Sequence, residues 1–148
     1  MKLIHICPQC GNPGIKVNAK AILYNLKKPE EIKSDKRWAS CVNPGCDCSY
    51  FSQNFIFSVT DLVKPLFYKD KSGIVPICYC SGLTRGEINS AVKKGCKTIR
   101  DIKKYTGKST SGHCNERNPL GKCCREVFQM TIKTAINKKP VRNTNKIL

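Results

Sequence analysis

The first half of the chain contains the knuckle Cys7-Pro8-Gln9-Cys10-Gly11 and the hairpin Cys41-Val42-Asn43-Pro44-Gly45-Cys46. Two residues between thiolates allow a tight turn to aim both sulfurs at one ion, and the following glycine permits the positive φ of that turn. Four thiolates make a closed tetrahedral set, which is typical of a structural zinc site. The predicted zinc ligands are Cys7, Cys10, Cys41 and Cys46, with Cys48 as the alternative to Cys46.

A second set of cysteines lies in the other half of the chain, at Cys78, Cys80, Cys114, Cys123 and Cys124. A single residue separates Cys78 from Cys80, and this spacing strains the binding of one tetrahedral ion by both thiolates. Two thiolates this close suit a 2Fe–2S cluster, which takes four cysteines. We therefore predict a cluster on Cys78, Cys80, Cys114 and Cys124, with Cys123 as the alternative fourth ligand. Cys124 is favoured because it begins an apparent helix, whose amide dipole lowers a thiol pKa. A second zinc ion is the alternative occupant.

Cysteine usage and charge limit the class of protein. The chain has 11 cysteines in 148 residues, an odd number that fits badly with complete disulfide pairing. The N-terminal apolar run is too short for a signal peptide, and no stretch approaches the roughly 18 apolar residues of a membrane span. We therefore expect a cytoplasmic protein with metal-bound thiols.

The formal net charge of +17 is concentrated in residues 78–148, which indicates docking on an acidic surface or on nucleic acid.

Local patterns predict the secondary structure. They indicate an extended piece at Ile15-Lys16-Val17, a loop or short exposed helix over residues 27–37, one half-buried strand from Phe51 to Val59, helices that begin at Thr84 and Thr98, a loop over residues 108–122, and a third helix from the double cysteine to about Asn137. Gly95 and Gly107 are expected to end the first two helices.

The predicted fold class is α+β, with a small N-terminal zinc-binding β module packed against a C-terminal helical 2Fe–2S module. The expected domains are the zinc module at residues 1–73, the cluster module at 74–137 and a frayed basic tail at 138–148. Modules of roughly 70 residues bury little core, so a metal is expected to staple each one.

Several motifs resemble known families. Four motifs in the second half of the chain resemble the bacterioferritin-associated ferredoxin-like 2Fe–2S domain. They are Cys78-Tyr79-Cys80-x-Gly82-x-Thr84, Gly95-Cys96-Lys97-Thr98-Ile99-x-Asp101-Ile102, Thr106-Gly107 and Cys114. The ending Asn118-Pro119-x-Gly121-x-Cys123-Cys124 resembles the variant in the N-terminal domain of CopZ-type copper chaperones. The first knuckle and the run from Cys41 to Phe51 resemble the zinc module of that domain. The resemblance spans residues 5 to about 137 and implies a cluster carried by short helices beside a zinc module, with a role in metal handling.

Two features depart from the family pattern. Cys48 stands where an apolar residue is expected, which leaves one zinc ligand open. The sequence contains no Met-x-Cys-x-x-Cys segment and no following βαββαβ stretch, which form the copper-transfer domain that usually accompanies this module. Copper delivery by that surface is therefore not expected of this chain alone.

The expected function is that of a metallochaperone-type iron–sulfur and zinc protein. It would transfer one electron in the handling of copper, specifically by reducing Cu(II) to the Cu(I) that soft thiolates prefer. Copper is expected to bind transiently, with Cys48, Cys96 and the unused member of Cys123 and Cys124 as spare thiols. For Cys96 we favour the role of a small buried apolar residue. The expected partner is a copper-transport or redox protein with an acidic surface.

Two other functions remain open from sequence, a plain electron carrier and a nucleic-acid-binding zinc protein. Nucleic acid is not the expected partner, because the aromatic residues cluster in the zinc module, away from the most basic half. Nothing in the sequence pairs a nucleophile with a base, and closed metal sites leave no position for a substrate. We therefore do not expect an enzyme.

Overall fold

The computed structural model describes residues 5–29, 37–52, 55–109 and 112–145, with side chains as far as Lys138. The chain divides into two units. The first unit comprises residues 1–71 and 113–123, and the second comprises residues 72–112 and 124–148. Most of the predicted loop or helix at residues 27–37 lies outside the described residues.

A four-stranded antiparallel sheet forms the centre of the first unit. Its strands, in spatial order, are β1 (Ile15–Val17), β2 (Trp38–Ser40), β3 (Cys48–Ser52) and β4 (Phe55–Ser58). The extended piece at β1 is therefore confirmed. The single strand predicted from Phe51 to Val59 is wrong, because Ser52 pairs with Phe55 and the chain reverses between them. The apolar alternation in this stretch belongs to two strands and not to one. Strand β3 buries Phe51, and strand β4 buries Phe57.

The core of the first unit packs the sheet against helix α1 (Ala19–Asn25), which the sequence patterns did not predict. Asn18 caps this helix, since its Oδ1 accepts a hydrogen bond from the N–H of Ala21 at 2.8 Å. Trp38 is 1% exposed, and its ring lies 5.7 Å from that of Phe57. The buried apolar cluster comprises Val17, Ala21, Ile22, Leu26, Trp38, Tyr50, Phe57, Leu62 and Leu66.

Residues 113–123 belong to the first unit, although the predicted domain ranges placed them in the second. Three long-range hydrogen bonds explain this: Asn18 Nδ2 donates to Asn115 O at 3.3 Å, Asn25 Nδ2 to Arg117 O at 3.2 Å, and Tyr50 Oη to Pro119 O at 2.6 Å. The segment also contains a short helix, α4 (Cys114–Arg117), where the sequence predicted a loop. None of these contacts leaves a local pattern in the sequence.

Among its described residues, the second unit contains a short hairpin and three helices. Its elements are β5 (Pro76–Cys78), β6 (Leu83–Thr84), α2 (Arg85–Lys93), α3 (Ile99–Thr106) and α5 (Arg125–Asn145). Helix α2 contacts both α3 and α5, and the buried side chains include Ile88 and Val92 of α2, Ile102 of α3, and Phe128 and Ile132 of α5.

The helix boundaries of the second unit follow local rules. Thr84 and Thr98 both form capping boxes, and Gly107 ends α3 with φ of 73°, as the sequence predicted. Helix α5 continues to Asn145, so the prediction of a helix end near Asn137 and a frayed tail from Lys138 is wrong over residues 138–145. No helix in the described part of the chain is both long and apolar enough to cross a bilayer.

Gly14 marks a close approach of the backbone to its neighbours in the first unit. A Cβ at this position would lie 2.7 Å from Ser40 O and 2.9 Å from the Phe51 ring. We expect Gly14→Ala to lower the free energy of unfolding of this unit by about 1–3 kcal/mol through overpacking. The measurement is urea unfolding followed by the fluorescence of Trp38, the chain's one tryptophan. Gly45→Ala is the control, because the nearest atom to its added Cβ lies 3.7 Å away; equal losses in the two variants would contradict the prediction.

Candidate metal centres

The first knuckle is a tight turn closed by backbone hydrogen bonds. The N–H of Cys7 donates to Asn12 O at 2.9 Å, and the N–H of Gly11 donates to Cys7 O at 2.9 Å. Gly11 has φ of 79°, the left-handed conformation that this turn requires. The turn therefore presents the sulfurs of Cys7 and Cys10 on one side, as the motif predicted.

The second knuckle is the hairpin at residues 41–46, and it lies directly before β3. The N–H of Cys46 donates to Asn43 O at 3.1 Å, and the N–H of Gly45 donates to Asn43 Oδ1 at 3.1 Å. At its start, the N–H of Cys41 donates to Ser49 O at 2.9 Å, which ties the knuckle to the sheet. Asn43 therefore shapes the turn that carries Cys41 and Cys46.

The two knuckles bring four sulfurs together. The Sγ atoms of Cys7, Cys10, Cys41 and Cys46 all lie within 4.8 Å of one another. The distance is 4.0 Å between Cys7 and Cys46 and 3.7 Å between Cys10 and Cys41. Zinc–sulfur bonds of 2.3 Å in a tetrahedron place the sulfurs about 3.8 Å apart. These four cysteines form no disulfide, so their spacing fits a single tetrahedral ion.

The four thiols have opposing pKa shifts. The N–H of Asn12 lowers the pKa of Cys10 to about 6, and the N–H groups of the first knuckle lower that of Cys7 against the effect of burial. Burial raises the pKa of Cys41 to about 12 and also raises that of Cys46. A dication among the sulfurs favours the thiolate form of all four, because it compensates for lost hydration. The donor set therefore suits a soft divalent metal such as zinc.

Cys48 is a fifth thiol beside this group but not a member of it. Its side chain is 0% exposed, and its Sγ donates to Tyr50 O at 3.9 Å. Burial raises the pKa of Cys48 above its ordinary value. The geometry thus places Cys46 with the other three sulfurs and leaves Cys48 in the apolar surroundings of β3.

The second set begins where β5 ends, at Cys78. The N–H of Gly82 donates to Cys78 O at 2.9 Å, and Gly82 has φ of 76°, so residues 78–82 form a tight turn. The pKa of Cys78 falls to about 5, first because its sulfur hydrogen-bonds the side chain of Cys124 and then, against burial, because Ser81 and the N–H of Cys80 donate to it. A sulfur held as thiolate by such donors fits an iron–sulfur ligand.

The remaining cysteines of the second set differ in exposure. Cys124 is 4% exposed, and its carbonyl accepts the N–H of Phe128 at 2.8 Å, so it directly precedes α5, close to the predicted helix start. Cys123 is exposed, whereas Cys80 and Cys114 are half-buried. The structure therefore brings Cys124 to Cys78 within the second unit, while Cys114 and Cys123 lie on the segment that belongs to the first. Ligation by any of these cysteines stays a prediction.

Cys96 differs from its prediction as a small buried residue. It is half-buried, and its Sγ donates to Asp101 O at 3.7 Å across the exposed start of α3. The predicted burial is wrong because the junction between α2 and α3 lies at the surface.

Comparison with known proteins covers the first cysteine set and, in the second set, Cys78, Cys80 and Cys114. Residues 4–63 match the CopZ zinc binding domain family, and residues 76–117 match the BFD-like [2Fe-2S] binding domain family. The resemblance predicted from the motifs is thus confirmed, and the zinc-binding and BFD-like domains occur in the expected order.

One relative and one solved structure extend this comparison. The copper chaperone CopZ of Archaeoglobus fulgidus is 27% identical over 120 residues, which cover 80% of this chain and 57% of that protein. The chain therefore spans a little over half of this relative's length. The X-ray structure of the Archaeoglobus fulgidus CopZ N-terminal domain matches with a TM-score of 0.70 and 24% identity, over 85% of this chain and 96% of that one. The likeness confirms the predicted α+β fold class.

The sequence patterns missed two polar residues beside the sulfurs. Ser81 follows the Cys-x-Cys motif directly, so its hydroxyl could have been flagged as a donor to a cluster thiolate. Lys69 donates to Cys41 Sγ at 3.5 Å. Nothing in the sequence signals this contact, because 28 residues separate the two.

Proposed function

We propose that the zinc-binding domain holds one structural zinc ion on Cys7, Cys10, Cys41 and Cys46. The spacing of the four sulfurs supports this assignment, since it matches a single tetrahedral ion. Four protein thiolates leave no open coordination position for a substrate, so the ion acts as a staple for the first unit. The same reasoning supports the proposal that the chain is not an enzyme.

The BFD-like domain, in the same proposal, holds a 2Fe–2S cluster on Cys78, Cys80, Cys114 and Cys124, with Cys123 as the alternative to Cys124. When bound, such a cluster supplies one-electron transfer. The chain's part is to keep the thiolates ionised and shielded. The hydrogen bonds that Cys78 accepts from Ser81 stabilise its negative charge, which favours the reduced state of a bound centre.

Copper handling is the proposed use of this electron. One electron from a redox partner protein, passed to Cu(II), yields Cu(I), and no proton or bond is exchanged. Cu(I) is the form that cysteine thiolates bind preferentially. The name of the relative, a copper chaperone, supports copper as the metal. Copper would thus be a transient cargo that is reduced once per electron delivered.

The partner we propose is a copper-transport or redox protein with an acidic surface. The end of α2, the following turn and α3 carry exposed basic side chains at Lys93, Lys94, Lys97, Arg100 and Lys104. Such a group attracts an acidic partner over about a Debye length and makes docking dependent on salt. We propose a cytoplasmic location, because metal binding by the thiols of both proposed sites needs a reducing compartment.

Anaerobic purification with metal and sulfide analysis tests the two sites. Two iron and two sulfide for each zinc would support the proposal. Zinc without iron or sulfide would overturn the cluster assignment and favour the nucleic-acid-binding alternative, which a salt-sensitive gel shift then checks.

Titration of the dithionite-reduced protein with Cu(II), in the presence of a Cu(I)-specific chelator, tests the copper proposal. We expect one Cu(I) for each cluster reoxidised. The Cys78→Ser variant measures the background, because thiols alone also reduce Cu(II). A cluster that stays reduced, with Cu(I) no higher than in this variant, would identify a plain electron carrier.

A further inference from the structure

Lys69 points its ammonium group at the second knuckle from the end of a turn. The turn is closed by the N–H of Lys69, which donates to Leu66 O at 3.0 Å, and Leu66 is buried in the core of the first unit. The Nζ atom donates to Asn43 O at 2.8 Å, to Cys46 O at 2.7 Å and to Cys41 Sγ at 3.5 Å. The side chain is half-buried.

These three contacts use all three N–H donors of a lysine ammonium. Two of the acceptors are neutral carbonyl oxygens, so Cys41 Sγ is the one of the three that can carry a negative charge. A half-buried cation loses hydration and is stabilised when an anion compensates for it. The ammonium therefore lies directly against a sulfur that binds metal in its anionic form.

The carbonyl contacts have a separate effect on the geometry. Asn43 and Cys46 stand at the two ends of the turn that positions the second pair of sulfurs. An ammonium bound to both carbonyls holds this turn closed, so Cys41 and Cys46 keep the spacing that the ion requires. Release of a metal from four thiolates starts when one thiolate detaches. The bridge from Lys69 opposes the detachment of Cys41 and Cys46.

We propose that Lys69 is a positioning residue of the zinc site, which slows metal release by clamping the second knuckle and by offsetting part of the thiolate charge at Cys41. The inference rests on the proposed zinc site. Four thiolates around Zn²⁺ leave two negative charges in excess, and Lys69 supplies one positive charge directly against one of the sulfurs. Residues that hydrogen-bond to metal ligands typically change metal affinity by about 10–100-fold when they are replaced.

The test compares Lys69→Met, Lys69→Gln and Lys69→Arg with a control, Lys64→Met, which replaces an exposed lysine of the same unit. The first readout is the rate at which a chelator in excess withdraws zinc from the protein with both metals loaded. We expect Lys69→Met to release zinc about 10–100 times faster than the unsubstituted chain. Lys69→Arg, which keeps the charge, should recover part of the loss, and Lys64→Met should leave the rate unchanged.

The second readout is the absorbance of protein in which Co²⁺ replaces zinc. Removal of the ammonium makes the Cys41 sulfur richer in electrons, so the sulfur-to-cobalt charge-transfer band should move to lower energy in Lys69→Met and Lys69→Gln. The ligand-field bands, which report the tetrahedral geometry, should stay in place. If Lys69 acted only through packing, the charge-transfer band would not shift while the ligand-field bands stayed in place.

The outcomes separate this inference from the zinc assignment. If the unsubstituted chain bound no zinc, both would be wrong. If it bound one zinc ion while Lys69→Met and Lys69→Gln released zinc at the unsubstituted rate, with an unshifted charge-transfer band, only the role of Lys69 would be wrong. Lys69→Gln remains informative if Lys69→Met does not fold, since its amide keeps a donor and removes the charge.

Discussion

Replacement of Cys10 by serine is expected to remove zinc from the chain and to destabilise the first unit. Three thiolates remain in this variant, and a serine hydroxyl is a harder, uncharged group that does not take the place of a thiolate. We expect the affinity for zinc to fall by more than about 100-fold, since a lost ligand costs more than a lost hydrogen bond to a ligand. Zinc content after gel filtration is the direct measurement.

The stability of the first unit should fall with the zinc. A structural zinc ion contributes on the order of 10 kcal/mol to the folding of small domains, because the binding site does not exist in the unfolded chain. The urea midpoint of Trp38 fluorescence should therefore drop in Cys10→Ser to the value that a chelator produces in the unsubstituted protein. A midpoint that stays unchanged while zinc is lost would show that the core around Trp38 does not need the metal.

Cys48→Ala is the matched control for this prediction. Cys48 is buried, as are Cys7, Cys41 and Cys46, but its sulfur lies outside the group of four. We expect this variant to retain one zinc ion and Cys46→Ser to lose it. The reverse pattern would show that Cys48 replaces Cys46 as the fourth ligand, the alternative that the sequence left open.

The second large effect is expected at Cys78. Replacement by serine should abolish the visible absorbance of the cluster, together with iron and sulfide, and leave zinc bound. The physical reason is that hydrogen bonds from Cys124 and Ser81 lower the pKa of the buried Cys78 to about 5, which favours the thiolate form that binds iron. Its loss leaves three ligands for a cluster that takes four.

Cys96→Ser provides the control within the second unit. Cys96 is half-buried and its sulfur donates to the carbonyl of Asp101, so this variant should keep iron, sulfide and colour. Loss of zinc from Cys78→Ser would contradict the assignment of the two metals to different cysteine sets. Cys124→Ser compared with Cys123→Ser identifies the fourth ligand, and we expect only the first to lose colour, because Cys124 is buried while Cys123 is exposed.

Much of the second unit could be predicted because its signals are local. A capping box joins residues three apart, so Thr84 with Glu87 and Thr98 with Asp101 identify two helix starts without reference to the rest of the chain. The same holds for Gly107, whose left-handed conformation ends α3. The end of α5 was predicted too early because proline, here Pro140, normally ends a helix, whereas the backbone of α5 continues to Asn145.

The two knuckles of the zinc site could also be predicted from local sequence motifs. Each knuckle is a short turn in which the spacing of two thiols and one glycine determines where the sulfurs point. The sequence could not choose between Cys46 and Cys48, which are two residues apart in an extended segment. In the tertiary structure, β3 directs Cys48 into the buried interior, whereas the turn at Asn43 places the sulfur of Cys46 beside the other three.

By itself, the sequence determined that two cysteine sets exist, which motifs they belong to and where the helices of the second unit begin, since all of these depend on residues within a few positions of one another. Only the tertiary structure decided the hairpin of β3 and β4, the place of residues 113–123 in the first unit and the contact of Lys69 with the second knuckle. These features depend on pairing between residues far apart in the chain, such as Tyr50 with Pro119 and Lys69 with Cys41. Such pairs are selected by burial and hydrogen bonding in the folded state, so no local pattern of residues records them.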